Sequence, residues 1–302
     1  MSVVPAGAGT SVAECFLCRT TSPRVVWTEA GYEARRCSCG MVYTSPTPAP
    51  GSIDCTIDHH PQEFYSYSAP FKARWVARHC PPGRLLEIGC GEGYFLAAAT
   101  ARGYEVVGLE AHAGRARHVR DTLGIEVTGG ALEDDRLPSA QFDVVYHCDL
   151  LAHFADPIAA LRLMTRRLRP DGVLCFEVGM LGGISPFWYR LTGGLGLGYH
   201  LWLYSPGALR ELLKRADLRL EHVQRFGLAP RALLGGVKAG LRGLLGRSDR
   251  SSPAVGPRRP IGRSISNFLR YRGAAWAPRI GPETWLVVAR PVSQDRLQAA
   301  RP

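Results

Sequence analysis

The chain has 302 residues, a formal net charge of +11 and 46% hydrophobic residues. That length and apolar content support a sizeable core and argue against a disordered or fibrous chain. No window carries the ~20 uninterrupted apolar residues of a membrane span, and Met1–Thr10 lacks the basic and apolar regions of a secretory signal, so the nine cysteines read as reduced thiols of a cytoplasmic protein.

Residues 1–13 are small and apolar and are expected to be a disordered tail. Cys15-x-x-Cys18 and Cys37-x-Cys39 follow, separated by a β-like stretch from Val25 to Arg36. Two close cysteine pairs suit a structural zinc ion, which takes four soft ligands tetrahedrally and can fold a segment too small for its own core. Cys55, His59 and His60 are further donors that can complete such a set. Residues 14–50 therefore form one expected unit, ending in a proline-rich linker from Thr44 to Gly51. Phe64 to Cys80 reads as a helix, with Phe71, Trp75, Val76 and His79 on one face.

Leu85-Leu86-Glu87-Ile88-Gly89-Cys90-Gly91-Glu92-Gly93 is a buried strand running into a glycine turn. Glycines at 89, 91 and 93 admit left-handed backbone and let a ligand lie against it. A dinucleotide fingerprint needs its third glycine at 94, where Tyr94 stands, which disfavours NAD. Glu87 sits at the carboxyl end of the strand, where open α/β sheets bind ligands; a carboxylate there accepts from an amine and repels a phosphate. Tyr104 to Glu110 reads as the next strand, and an acid at its tip is placed to accept from two ribose hydroxyls.

Glu87-x-Gly-x-Gly-x-Gly with Glu110 resembles motif I and its follower in class I S-adenosylmethionine (SAM) methyltransferases. Cys37 to Pro48 resembles the zinc-ribbon head found before many bacterial methyltransferase domains, although the usual second pair there is Cys-x-x-Cys. The resemblance implies a Rossmann-like α/β fold with a seven-stranded sheet in the order 3-2-1-4-5-7-6, a small zinc-ribbon-like N-terminal segment, and SAM as cofactor. It implies that Tyr65 or Arg74, on the helix covering the cofactor, reaches the methionine carboxylate. It assigns the loop Gly129–Asp134 to the adenine, with Leu132 as the apolar wall and Glu133 as the acid.

After the glycine turn, helices at Tyr94–Arg102 and Ala113–Leu123 alternate with strands at Glu105–Leu109 and Ile125–Thr128, the rhythm of a parallel sheet. Phe142–His147 is strand four. By the same resemblance His147 lies beside the methyl group, its carbonyl accepting from the SAM amine, and Asp149 or His153 faces the acceptor, where a histidine can act as a general base, as can His147. The other reading of His153 is a residue that caps or packs against the next helix. A helix from Ile158 to Leu168, a turn at Arg169–Gly172 and a strand from Val173 to Val178 complete the next unit. Gly179–Tyr204 is rich in glycine and aromatics and reads as a mobile lid over an organic acceptor, with His200 as the leading candidate base. Ser205 caps a helix from Pro206 to Ala216, and Leu218–Phe226 is a strand. Residues 231–281 form an expected basic helical insertion or linker, and Glu283–Arg290 the last strand.

The SAM-binding domain is thus expected over 60–230 and 282–291. The expected reaction is methyl transfer to an oxygen, nitrogen or carbon of a small molecule, such as a secondary metabolite or sugar-derived compound. Two alternatives stand beside it: an RNA methyltransferase, suggested by the thirteen Lys and Arg between Arg225 and Arg290 against Asp249 and Glu283, and a non-catalytic SAM-binding protein. The Asn-Pro-Pro-Tyr-like tetrapeptide of many base-amine methyltransferases has no counterpart at His147-Cys148-Asp149-Leu150.

Overall fold

A computed structural model describes residues 13–48, 62–134, 136–137, 139, 141–182, 184–185, 187–189, 194–227 and 283–292. Three short strands come first: β1 (Val25–Glu29), β2 (Tyr32–Arg36) and β3 (Val42–Ser45). Helix α1 (Gln62–His79) leads to β4 (Arg84–Ile88), α2 (Tyr94–Thr100), β5 (Glu105–Glu110), α3 (Ala113–Leu123) and β6 (Glu126–Gly129). Then follow β7 (Phe142–Cys148), α4 (Pro157–Thr165), β8 (Leu168–Met180), β9 (Trp202–Leu203), α5 (Pro206–Arg215), β10 (Leu218–Gly227) and β11 (Glu283–Pro291).

Seven strands form one sheet in the order β6-β5-β4-β7-β8-β11-β10. Renumbered within the sheet this is 3-2-1-4-5-7-6, with β11 antiparallel to both its neighbours. The central strands are apolar on both faces because helices cover both. Leu86, Val145, Phe176 and Val287 point into one core with α4 and α5. Their neighbours Leu85, Val144, Cys175 and Leu286 point into the other, with α1 and α2. Helix ends follow side-chain chemistry: the Asp156 carboxylate accepts from the amides of Ile158 and Ala159, and the Ser205 hydroxyl from that of Ala208, each just before a proline in the first helical turn. Helix α3 stops at Gly124, which takes left-handed angles.

The second sheet, β1-β2-β3-β9, is antiparallel. It corrects two expectations. Thr44 and Ser45 belong to β3 and not to a linker, because β3 pairs on both sides. Gly179–Tyr204 does not stand apart as a lid, because its Trp202 and Leu203 pair with Tyr43 and Val42 and its Tyr189, Leu195 and Leu197 pack on Tyr32 and Ala34. Strand β8 takes in the expected turn at Arg169–Gly172, and α4 ends three residues before Leu168. The expected basic insertion 231–281, Cys55, His59 and His60 lie outside the described residues. Among the described residues no helix is long and apolar enough to cross a membrane.

Candidate functional site

At the carboxyl ends of β4, β5 and β7 lies a cavity of about 430 Å³. Its floor is the glycine turn. Gly89, Gly91 and Gly93 all have positive φ (68°, 55° and 80°). A Cβ on Gly89 would lie 2.8 Å from Leu150 and one on Gly93 2.8 Å from Leu123, whereas one on Gly91 would meet no atom within 4 Å. Gly91 therefore borders open space in which a ligand can lie against the backbone. The Glu110 carboxylate, 6% exposed, accepts from the Gly91 amide (2.8 Å) through one oxygen and from the His112 amide (2.9 Å) through the other. Each oxygen retains a lone pair for a second donor.

Glu87 lines the cavity and is 4% exposed, and its Oε2 has no hydrogen-bond partner. Burial raises its carboxyl well above the ordinary carboxylate range; Lys72 opposes that shift and Glu110 adds to it. Lys72 reaches the cavity from α1, where Tyr65, Ser68, Ala69 and Lys72 share one face at helical spacing. Its Nζ lies 2.8 Å from Glu177 Oε2 and donates to Cys148 Sγ (3.1 Å). Tyr65 stacks on Tyr94 at 5.1 Å. Arg74 needs correction: it is exposed and does not line the cavity, because two residues beyond Lys72 the helix has turned about 200°. Ser68 Oγ and Tyr146 Oη also line the cavity without a hydrogen-bond partner. Buried polar atoms left in that state point to a missing polar ligand.

Opposite this wall, Leu132 opens a 3-10 turn, Leu132–Asp134, that Asp134 closes by accepting from the Ala131 amide (3.0 Å). Leu132 is buried, Glu133 is exposed, and both line the cavity, as does Arg115 of α3.

The remaining wall follows β7. His147 needs correction as a base: its imidazole is fully buried, stacks 5.0 Å from Phe176, and has neither ring nitrogen hydrogen-bonded. Strand alternation sends Tyr146 and Cys148 to the cavity and His147 into the core on the other side of the sheet, and burial pushes its ring down to about 3. Asp149, with positive φ, is also not in the cavity wall; its Oδ1 accepts from the Gly179 amide (3.2 Å). Leu150, His153, Phe154 and Tyr199 do line it. His153 Nδ1 lies 2.7 Å from the Tyr199 carbonyl. A carbonyl can only accept, so Nδ1 carries the proton and Nε2 the lone pair. His200 stands behind His153, rings 5.3 Å apart, with Nδ1 on the Leu195 carbonyl (2.8 Å). The structure thus brings His153 to the cavity, in line with the acceptor-facing one of its two sequence readings.

Far from the cavity, the sulfurs of Cys15, Cys18, Cys37 and Cys39 all lie within 4.8 Å of one another. Cys18–Cys37 is 3.1 Å, Cys15–Cys39 3.6 Å and Cys18–Cys39 3.8 Å. A tetrahedral zinc with ~2.3 Å bonds needs sulfurs about 3.8 Å apart, so the set fits.

Lys72, Ser68 and Phe154 line the cavity without having been expected there. A signal for Lys72 was present: it stands seven residues after Tyr65, two turns along the same face. Tyr199 falls in the aromatic 179–204 segment expected at the acceptor, but its contact with His153, across 46 residues, carries no sequence signal.

Comparison with known proteins gives a family and a fold. A methyltransferase domain family matches residues 58–223. The "Ubiquinone biosynthesis O-methyltransferase" of Ruegeria pomeroyi is 33% identical over 160 residues, covering 48% of this chain and 62% of that protein. The "Probable S-adenosylmethionine-dependent methyltransferase" of Mycolicibacterium smegmatis is 36% identical over 157 residues, covering 48% and 56%. The matches span less than two thirds of either relative. A structure described as a "putative sarcosine dimethylglycine methyltransferase" from Galdieria sulphuraria aligns with TM-score 0.50 and 16% identity, over 80% of this chain and 95% of that one, which shows a shared fold.

The buried Glu87 carboxyl has a consequence for stability. Its folded pKa lies above the unfolded value, so its contribution is full below the unfolded pKa and is lost as pH rises through the folded one. Glu87→Gln is expected to raise the melting temperature of the ligand-free protein near pH 8 by roughly 2 °C or more, the shift about 1 kcal/mol gives in a chain of this size. The gain is expected to vanish toward about pH 4. Thermal melts of both proteins across this range check it; equal melting temperatures at every pH refute it.

Proposed function

The chain belongs to the methyltransferase domain family and has the class I fold of SAM-dependent methyltransferases, and on that premise we propose that it transfers the methyl group of SAM to a hydroxyl of a small organic acceptor. The observation that carries the cofactor assignment is the unpartnered Glu87 Oε2 in the same cavity as Glu110 and the open side of Gly91. A buried carboxylate lacking a donor suits the SAM ammonium. Glu110 accepts from the ribose hydroxyls with the lone pairs that Gly91 and His112 leave over. Leu132 and Glu133 flank the adenine. Lys72 and Tyr65, with Ser68, receive the methionine carboxylate, in the role first expected of Tyr65 or Arg74. When bound, SAM supplies an electrophilic methyl group on a sulfonium.

The acceptor side is Leu150, Phe154 and Tyr199 with one histidine, His153. Flat apolar walls suit an organic ring or chain. The Tyr199 carbonyl holds the Nδ1 proton of His153, so Nε2 of the neutral ring would take the hydroxyl proton as the methyl–sulfur bond breaks and the methyl–oxygen bond forms, the thioether leaving. His200 supports it from behind, which moves the leading base from His200 to His153. The O-methyltransferase relative favours oxygen as the accepting atom. The four cysteines hold a structural zinc ion that stabilises the N-terminal head.

Three outcomes are expected. Calorimetry gives SAM binding to the wild-type protein and a loss of about 1.5–3 kcal/mol in Glu110→Ala, which removes a charged partner of two hydroxyls; unchanged affinity removes Glu110 from the ribose. Elemental analysis gives about one zinc per chain, and a metal-free, fully folded protein refutes the metal site. With labelled SAM and a panel of phenols and alcohols, His153→Ala lowers turnover about 10²-fold or more with SAM affinity within about twofold, most steeply at low pH. Full activity of that variant near pH 6 means the proton leaves by another route.

A further inference from the structure

Glu29 lies at the end of β1, in the cysteine-bearing head, yet its side chain is bonded to the segment that walls the cavity. Its Oε2 accepts from the Leu195 amide (2.7 Å) and from Trp27 Nε1 (2.8 Å), and its Oε1 accepts from the Leu197 amide (2.9 Å). Gly194 has φ +119°, and a Cβ there would lie 2.5 Å from Glu29 Oε2. The chain at 194 therefore runs directly over the carboxylate, and only glycine fits. Charge-assisted bonds from two backbone amides define where the turn begins and how it faces.

From that turn the bonds lead to the cavity without a break. The Gly196 carbonyl accepts from the amides of Tyr199 and His200 (both 2.9 Å), and the Leu195 carbonyl faces His200 Nδ1 (2.8 Å). The Tyr199 carbonyl then accepts from His153 Nδ1 (2.7 Å). Past the turn, the same segment is stitched to the loop after β7 at three more points. The Leu201 amide donates to Ala152 O (2.8 Å), Trp202 Nε1 to Phe154 O (2.7 Å) and Tyr204 Oη to Leu151 O (2.9 Å). Trp202 in turn is held by the head, edge-on to Phe16 at 4.8 Å and pairing through β9 with Tyr43. His153 and Phe154, with their neighbours Leu151 and Ala152, are thus held by a segment whose own position is set by the head. None of these bonds involves the glycine turn, Glu87 or Glu110.

We propose that Glu29 is a positioning residue for the acceptor side of the cavity, and that the head acts through it and through Trp202 as a bracket that holds His153 and Tyr199 toward the acceptor. This deepens, and rests on, the reading of the cavity as a methyl-transfer pocket. It makes the shape of the acceptor wall a property of the head and the 194–204 segment together, and it leaves the cofactor side to the large sheet.

Glu29→Gln tests it, since the amide places an N–H against one of the backbone donors. Trp202→Phe, which keeps the ring packing and removes the bond to Phe154, is the second variant should the first fail to fold. Hydrogen exchange at residues 194–201, nitrogen NMR of labelled histidines and SAM calorimetry are the readouts. In the wild-type protein His153 is expected to show a single Nδ1–H tautomer. In either variant, exchange at 194–201 is expected to speed up about tenfold or more and His153 to show mixed tautomers, with SAM affinity within about twofold. Simple destabilisation does not alter the tautomer of one histidine while sparing the cofactor site. Unchanged exchange and unchanged histidine signals overturn the proposal, as does a loss of SAM affinity that parallels them. A wild-type protein that binds no SAM overturns the cofactor reading instead, and leaves exchange and the histidine signals to judge Glu29.

Discussion

The bond from the Gly91 amide to the Glu110 carboxylate is the constraint on which the cofactor side depends. It ties the turn after β4 to the end of β5, and the same carboxylate caps the start of the next connection through His112. A backbone N–H in a turn with three left-handed glycines has no strand or helix partner to satisfy it. Meeting that need with a side chain from the neighbouring strand fixes the turn, and also leaves an acid at the rim of the cavity with lone pairs to spare. The same arrangement therefore closes the loop and leaves acceptor lone pairs beside the cavity. The parallel register of Ile88 on Leu109 brings the two strand ends level so that one short side chain can do both.

Glu87 shows the opposite logic. A carboxyl that is 4% exposed with an oxygen unpartnered is costly to the folded chain, and nothing in the packing requires it. Lys72 relieves part of that cost but is itself engaged with Glu177 at 2.8 Å. Ser68 Oγ and Tyr146 Oη add to the count of buried polar atoms on the same wall. Three such atoms, of Ser68, Glu87 and Tyr146, face the same cavity.

Much of this was legible in the sequence, and what was legible is local. Helix α3 runs over the expected residues because a left-handed glycine sits just past its end. The glycine turn, Glu87 and Glu110 could be read because Glu87 and the turn close one strand and Glu110 closes the next. The strand order followed from the family resemblance. The misreadings come from phase and from distance. Arg74 fails because the cavity looks at the Tyr65–Lys72 stripe of α1, while the apolar residues Trp75 and Val76 that define the helix in sequence pack into the core. His147 fails by strand parity, one residue placing a side chain on the far face of the sheet. The supposed lid fails because short strands reveal no partner: β9 is two residues long, and only Tyr43 and Val42, some 160 residues earlier, make it a strand.

That last failure bears on how such a chain divides its chemistry. A parallel sheet generates its cofactor site from its own geometry, because strand ends, glycine turns and acids arrive there by topology. It generates no wall for a second reactant. Here that wall is assembled from the loop after β7 and a segment more than 40 residues later, bonded to each other through His153, Phe154 and Tyr204. A small antiparallel sheet can supply the missing order, provided it is itself rigid, and four sulfurs within 4.8 Å offer a means of making it so. Its bonds to the segment end on backbone atoms, as with Glu29 on Leu195 and Leu197 and Thr44 on the His200 carbonyl. Backbone contacts hold a loop in place without dictating its side chains. The residues facing the acceptor can therefore change while the bracket and the cofactor floor stay as they are, which is how one fold serves many acceptors.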